Sequence, residues 1–247
     1  MIVTALLFVG VAFLYASVGF GGGSTYTALL IESGLSFELV PPVSLLCNLL
    51  VVSGGVYHYA RAGHLDLRFA WPLLATSVPA AFAGGLLRLD EAVYLQILGG
   101  ALLVAGGLLA ADRRWPLAAP AAARRPYLNG ALGLALGLLA GVTGIGGGIY
   151  LAPVLHLLRL ADARTVAATC SLFILANSAA GLVGQLLKLG QEAAVLLDTG
   201  LLWLPLAVLA GGQLGSRVGA FRLPAAPIRR LTGLVILVVA ARILWIN

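Results

Sequence analysis

Apolar residues fall into long unbroken runs, separated by short polar or glycine-rich punctuation. Residues 2–18 form the first run, followed by a glycine cluster and a short apolar stretch at 24–31. Long runs come next at 40–60, 69–87 and 92–111. A basic, Pro- and Ala-rich stretch, 112–126, breaks the series. It restarts with 127–142, a second glycine cluster and a short run at 149–158, and ends with long runs at 165–187, 194–214 and 228–246. Crossing the hydrocarbon core takes ~20 apolar residues in a helix. The long runs therefore read as spanning helices, and the two short post-glycine runs cannot span.

The two series repeat one pattern. Gly19-Phe20-Gly21-Gly22-Gly23 matches Gly144-Ile145-Gly146-Gly147-Gly148 at an offset of 125, and Asn48 matches Asn177 at 129. Trp71-Pro72 and Trp203-Leu204-Pro205 correspond loosely, as do Ala83-Gly84-Gly85 and Ala210-Gly211-Gly212. Four landmarks in one order at a nearly constant offset mark a duplicated unit. The expected organisation is a first membrane repeat, 1–111, a cytoplasmic basic linker, 112–126, and a second repeat, 127–247.

Composition removes the soluble alternative. Hydrophobic residues make up 61% of the 247 and charged residues 10%, against roughly 25% charged in a soluble domain. So few charges cannot cover a water-facing surface. The 32 glycines suit helices that approach closely in lipid. The net charge of +6 could suggest nucleic acid, but every basic residue lies between or at the ends of apolar runs, so it reads as topology. Cys47 and Cys170 lie inside apolar segments, and no CxxC or His/Cys cluster suggests a metal or a disulfide framework. No Lys or Arg precedes Arg61, so the first segment is expected to be retained in the bilayer, not cleaved as a signal.

Charge decides between two topologies. If each glycine cluster merely interrupts a spanning helix, Lys and Arg divide eight against seven, without bias. If each cluster is the tip of a hairpin returning to its own side, each repeat crosses three times and the repeats are inverted. One side then holds Arg61, Arg68, Arg113, Arg114, Arg124, Arg125, Arg159, Arg164, Arg217, Arg222, Arg229 and Arg230. The other holds Arg88, Lys188 and Arg242. That asymmetry is what the positive-inside rule describes. The expected fold is thus an all-α polytopic membrane protein of two inverted repeats, each a re-entrant, glycine-tipped helical hairpin plus three spanning helices. The basic loops are cytoplasmic and both termini lie outside.

Paired glycine breaks at matching places in two halves point to a transport site. Glycine releases the backbone and leaves bare N–H groups at the start of the following half-helix, where a positive dipole end favours an anion. Close packing through small residues is the plainer account, and duplication favours the functional one. The candidate substrate-binding residues are Gly21, Gly22, Gly23, Ser24 and Thr25 in the first repeat and Gly146, Gly147 and Gly148 in the second. Asn48, Asn177 and Ser178 join them as amide and hydroxyl donors in spanning segments, where an unpaired polar group is costly. Thr143 is a further hydroxyl near the second tip. His58 beside Tyr57 and Tyr59 suits an interfacial aromatic belt. His156 in the second short helix is the candidate proton relay. Gln185 and Gln213 read as packing contacts.

The two glycine clusters, each opening a repeat, resemble the TauE/SafE family of sulfite and organosulfur-anion exporters. Leu46-Cys47-Asn48, Ala176-Asn177-Ser178, the run Ala210-Gly211-Gly212-Gln213-Leu214-Gly215-Ser216-Arg217, and Arg242-Ile243-Leu244-Trp245 support the resemblance, which covers essentially the whole chain. It implies a multi-pass inner-membrane transporter of small anions, sulfite or sulfonates, usually in the export direction. Pro153 follows the second glycine cluster as it often does in the family. The first repeat has Ala28 there instead, and no Lys follows Asn48, which leaves the substrate open.

The expected partners are a small anion of the sulfite or sulfonate class and the lipid bilayer, with a homodimer as a candidate assembly and no nucleic acid. No cofactor or metal is implied. GxSxG, HExxH and P-loop signatures are absent from the sequence, so an intramembrane enzyme is the remote alternative. A small-anion channel is the nearer one, because the same dipole ends can line a pore.

Overall fold

The computed structural model describes residues 2–111, 126–157, 160–197 and 199–222, together with 234, 236–238, 240–241 and 243. The expected linker 112–126 except Pro126, which opens a helix, Arg159 and most of the expected last span lie outside the described residues. Among those described, the chain is helical, with no strand. In order come α1 (Ile2–Ala16), α2 (Gly23–Glu32), α3 (Val40–Arg61), α4 (Leu67–Leu86), α5 (Glu91–Ala111), α6 (Pro126–Thr143), α7 (Gly148–Leu157), α8 (Ala163–Leu189), a 3₁₀ segment Gly190–Leu197 and α9 (Thr199–Phe221).

Local chemistry sets the ends. Asp66 caps α4 by accepting from the N–H of Arg68 and Phe69, and Asp162 caps α8 in the same way from Arg164 and Thr165. Prolines at the first turn of α3 need no intrahelical N–H partner. Gly190, with φ 58°, ends α8. This stop displaces the second half's fourth helix from the expected 194–214 to Thr199–Phe221. Hydropathy missed that boundary because the C-terminal part of α9 faces protein through small residues.

Four described helices are long and apolar enough to cross a bilayer: Val40–Arg61, Leu67–Leu86, Glu91–Leu108 and Ala163–Leu189. α2 and α7, with 10 residues each, extend only ~15 Å at 1.5 Å per residue. Large apolar side chains face outward, among them Leu6, Trp71, Val104, Leu134, Leu187 and Leu206. Buried within a mainly apolar core lie side chains of Ser, Thr, Asn and Gln. Polar groups kept away from an apolar exterior are what a lipid solvent requires.

The packing is paired between halves. α4 packs most extensively on α6 and then on α8, while α1 packs on α9, α3 on α9, and α3 on α8. Glycine ladders make two of these close contacts possible. Gly133, Gly137 and Gly141 of α6 press on the carbonyls of Leu73, Ser77 and Ala81 of α4. Gly211 and Gly215 of α9 press on the carbonyls of Val9 and Phe13 of α1, and Gly219 presses on that of Ser17, just past its end. Four-residue spacing keeps each ladder on one helix face, and any side chain there would meet backbone.

Candidate functional site

Both glycine clusters turn the chain with left-handed backbone at matched places. Gly19 and Gly144 have φ 84° and 73°, and Gly22 and Gly147 have φ 93° and 82°. Each turn ends at a short helix. Gly22 O accepts from Thr25 and Tyr26, and Gly147 O accepts from Tyr150 and Leu151. The preceding N–H groups belong to the first turn, which has no partner within its own helix.

The two turns meet. Asn48 of α3, fully buried, donates its side-chain N–H to the carbonyl of Ile145 at 2.9 Å. Its amide also flanks the other turn: a Cβ on Gly21 or Gly23 would strike it. A Cβ on Gly23 would lie 3.1 Å from the Cα of Ile145, and one on Gly146 would lie 2.6 Å from Ser178 Oγ and 3.4 Å from Asn48 Nδ2. Gly21, Gly23, Asn48, Gly146 and Ser178 therefore form one cluster.

The other glycines look elsewhere. A Cβ on Gly22 would meet the ring of Tyr26, one on Gly147 would meet Ala140 and Phe173, and one on Gly148 would meet Ile174. Ser24 and Thr25 are committed to a residue that sequence reasoning did not name: Tyr15 OH pairs with Thr25 Oγ1 at 2.8 Å and accepts from Ser24 Oγ at 3.2 Å. Ser44, one turn before Asn48, was also missed. It donates to Gly23 O and accepts from Thr27. Ser171 donates to Gly19 O. The available signal for both serines was a hydroxyl in an apolar run, Ser44 four residues from an asparagine already singled out.

Some polar atoms have no protein partner. Both amide atoms of Asn177, Ser178 Oγ, Asn48 Oδ1 and Tyr26 OH are buried without one. Asn177 and Ser178 are 0% exposed. Thr143 donates to Leu139 O and accepts from Tyr150 OH. His156 is half-buried in the last turn of α7, about 12 Å along the helix from Gly148 by helical rise. Cys47 and Cys170 are buried free thiols. Gln185 donates to Gly141 O in the helix packing.

Electrostatically the cluster is neutral. Among the described residues, the fully buried polar side chains are Ser, Thr, Asn and Gln, with no acid or base. What remains is a set of dipoles, amides and hydroxyls at two helix starts, which suits a small, strongly hydrogen-bonding ligand.

These features define, among the described residues, an all-helical protein with four helices long and apolar enough to cross a membrane and a buried polar centre. The family described as "Sulfite exporter TauE/SafE" matches residues 3–243, and the chain belongs to that family. It is 32% identical over 244 residues to a "Probable membrane transporter protein y4hK" of Sinorhizobium fredii (strain NBRC 101917 / NGR234), covering 98% of this chain and 97% of that protein. No solved structure matches it. The protein is a membrane transporter of the TauE/SafE family.

Proposed function

We propose that this transporter carries a small oxyanion of the sulfite or sulfonate class, bound where the two glycine turns meet. The observation that supports the reading is the Asn177–Ser178 pair, buried beside the joined turns without a protein partner. Leaving a buried amide unpaired costs about 1–3 kcal/mol, and an oxyanion would supply its missing acceptor. Helix starts and neutral donors favour negative charge there without a buried cation.

The architecture behind it is two inverted repeats, 1–111 and 127–247, each with a re-entrant glycine hairpin. The matched left-handed glycines and the reciprocal packing of α1 on α9 and α6 on α4 support this. Rocking of one repeat against the other gives alternating access. At the offset of 125, Ile145 corresponds to Phe20, so the counterpart of the Asn48 bond would join Asn177 to the Phe20 carbonyl. Only the Asn48 bond is made here. Exchange of one latch for the other distinguishes the two ends of the cycle, with export from the arginine-rich face.

The test is uptake of sulfite and of an organosulfonate by liposomes containing the purified protein. Saturable flux, lost in Asn177→Leu with the protein still in the membrane, is the expected result. Flux that never saturates makes the protein a channel, and absence of flux for every small oxyanion overturns the reading.

A further inference from the structure

Of the three basic residues assigned to the sparsely charged face, two converge on one cleft. It has a volume of about 180 Å³ and is lined by Phe37, Glu38, Arg88, Leu89, Lys188 and Leu189. It is roomy enough to admit an oxyanion of a few heavy atoms with part of its hydration. The three connections that build it are distant in sequence: α2–α3 supplies Glu38, α4–α5 supplies Arg88, and the end of α8 supplies Lys188.

Arg88 Nη2 donates to Lys188 O at 3.0 Å, which satisfies one carbonyl at the end of α8. A guanidinium has five N–H donors, so this bond leaves the others for the cleft. Lys188 is half-buried there, with both Glu38 and Arg88 close enough to act on its charge. Capping a helix end explains Arg88. It does not explain a second cation and a carboxylate on the same open cleft.

The cleft also adjoins the buried centre. The Phe37 ring packs on Tyr94 of α5 at 6.4 Å between centroids. Tyr94 OH donates to Thr143 O at 3.2 Å, one residue before Gly144. Two aromatic side chains thus separate the cleft from the second glycine turn.

We propose that the Arg88–Lys188 cleft is a staging site for the transported oxyanion at the membrane face opposite the arginine-rich loops, with Glu38 as its resident counter-charge. The inference rests on the carrier reading above. Glu38 on the same rim offsets part of the attraction of Arg88 and Lys188 for an anion, so the site binds weakly and releases readily. A lipid phosphate offers the same chemistry. The carboxylate at the rim favours the small soluble anion, which can enter where a tethered headgroup meets Glu38.

The experiment uses the full chain in liposomes of phosphatidylcholine, with and without phosphatidylglycerol, and sulfite as the probe. Arg88→Gln and Lys188→Gln should raise the half-saturating sulfite concentration on the cleft side about two- to fivefold, with maximal rate unchanged and a flatter dependence on ionic strength. Glu38→Gln should lower it. Sulfite should also protect Lys188 from an impermeant amine reagent, read by mass spectrometry, in phosphatidylcholine alone. Protection without flux keeps the cleft and sinks the carrier reading. Flux with neither protection nor a shifted half-saturation overturns the cleft, as does an effect confined to phosphatidylglycerol liposomes.

Discussion

Asn48 donates to the carbonyl of Ile145, 97 residues away, at 2.9 Å. That bond ties α3, long and apolar enough to cross a bilayer, to the glycine turn that precedes α7, where an unpaired buried backbone group is expensive. Asn177, its counterpart in sequence, is equally buried and makes no such bond. Two residues that the proposed duplication pairs thus stand in opposite states, and their substitutions should differ in kind.

Asn48→Leu strands the Ile145 carbonyl, so it should lower stability by about 1–3 kcal/mol. Asn177→Leu removes an unsatisfied amide and strands nothing, so its thermal midpoint should hold or rise. Only wild type and Asn48→Leu should then be stabilised by added sulfite. The check is thermal unfolding in detergent with and without sulfite. Equal destabilisation by the two changes would refute the asymmetry.

The glycines divide in the same way. Gly21→Ala and Gly23→Ala, where the backbone is not left-handed, push a methyl group at Asn48 Oδ1 and Asn48 Nδ2 respectively, so both should lose transport while still reaching the membrane. Gly22→Ala and Gly147→Ala strain left-handed backbone and press on Tyr26, or on Ala140 and Phe173, so these should lose folded protein first. Gly100→Ala, with nothing within 4 Å of the new Cβ, should gain up to about 1 kcal/mol as an interior helix position. Membrane yield and specific flux, measured side by side, separate the three outcomes.

Hydropathy made the helical fold legible because a bilayer demands long apolar runs, and α3, α4, α5 and α8 follow them within a few residues. The glycine clusters stood out because they occur twice. Helix rotation is not written in hydropathy when a helix is apolar all round. Nothing in the residue order says that Gly22 faces Tyr26 whereas Gly21 faces Asn48, or that Tyr15 claims the hydroxyls of Ser24 and Thr25. The Arg88–Lys188 cleft was hidden for a different reason. Its walls come from three connections whose meeting depends on how the helices pack.

Asp162 gives a pH signature outside the spans. Its partial burial alone would raise the carboxyl pKa. The Thr165 hydroxyl, at 2.6 Å, the N–H groups of Thr165 and Arg164, and the nearby His64 outweigh that and hold it below the ordinary value. A depressed folded pKa stabilises above the unfolded value of about 3.9, and the contribution disappears as pH falls through the folded pKa. Asp162→Ala should therefore lose about 0.5–2 kcal/mol near neutral pH, the range for a lost N-cap, and the gap to wild type should close in strong acid. Thermal midpoints across an acid series test it, and a gap that is constant with pH would contradict the capping account.

Energy coupling follows from where titratable groups sit. Proton-driven carriers place carboxylates or His within the membrane. Here Glu32 ends α2, Glu38 lies between α2 and α3, Asp66 and Asp162 cap helices, Asp90 immediately precedes α5 and Glu91 opens it. Glu192 lies in the 3₁₀ segment after α8, and Asp112 and Asp198 lie outside the described residues. None of the described acids is at mid-span. His156, a full short helix away from the glycine turn, is the candidate relay that remains. Transport should then be facilitated exit of the anion, for which an inside-negative potential supplies ~2.3 kcal/mol per charge per 100 mV. With the potential clamped at zero and a pH gradient imposed, liposomes should equilibrate a fully ionised sulfonate without concentrating it. Any uphill movement should vanish in His156→Ala, and accumulation that survives this change would mean that protons travel by a route through some other group.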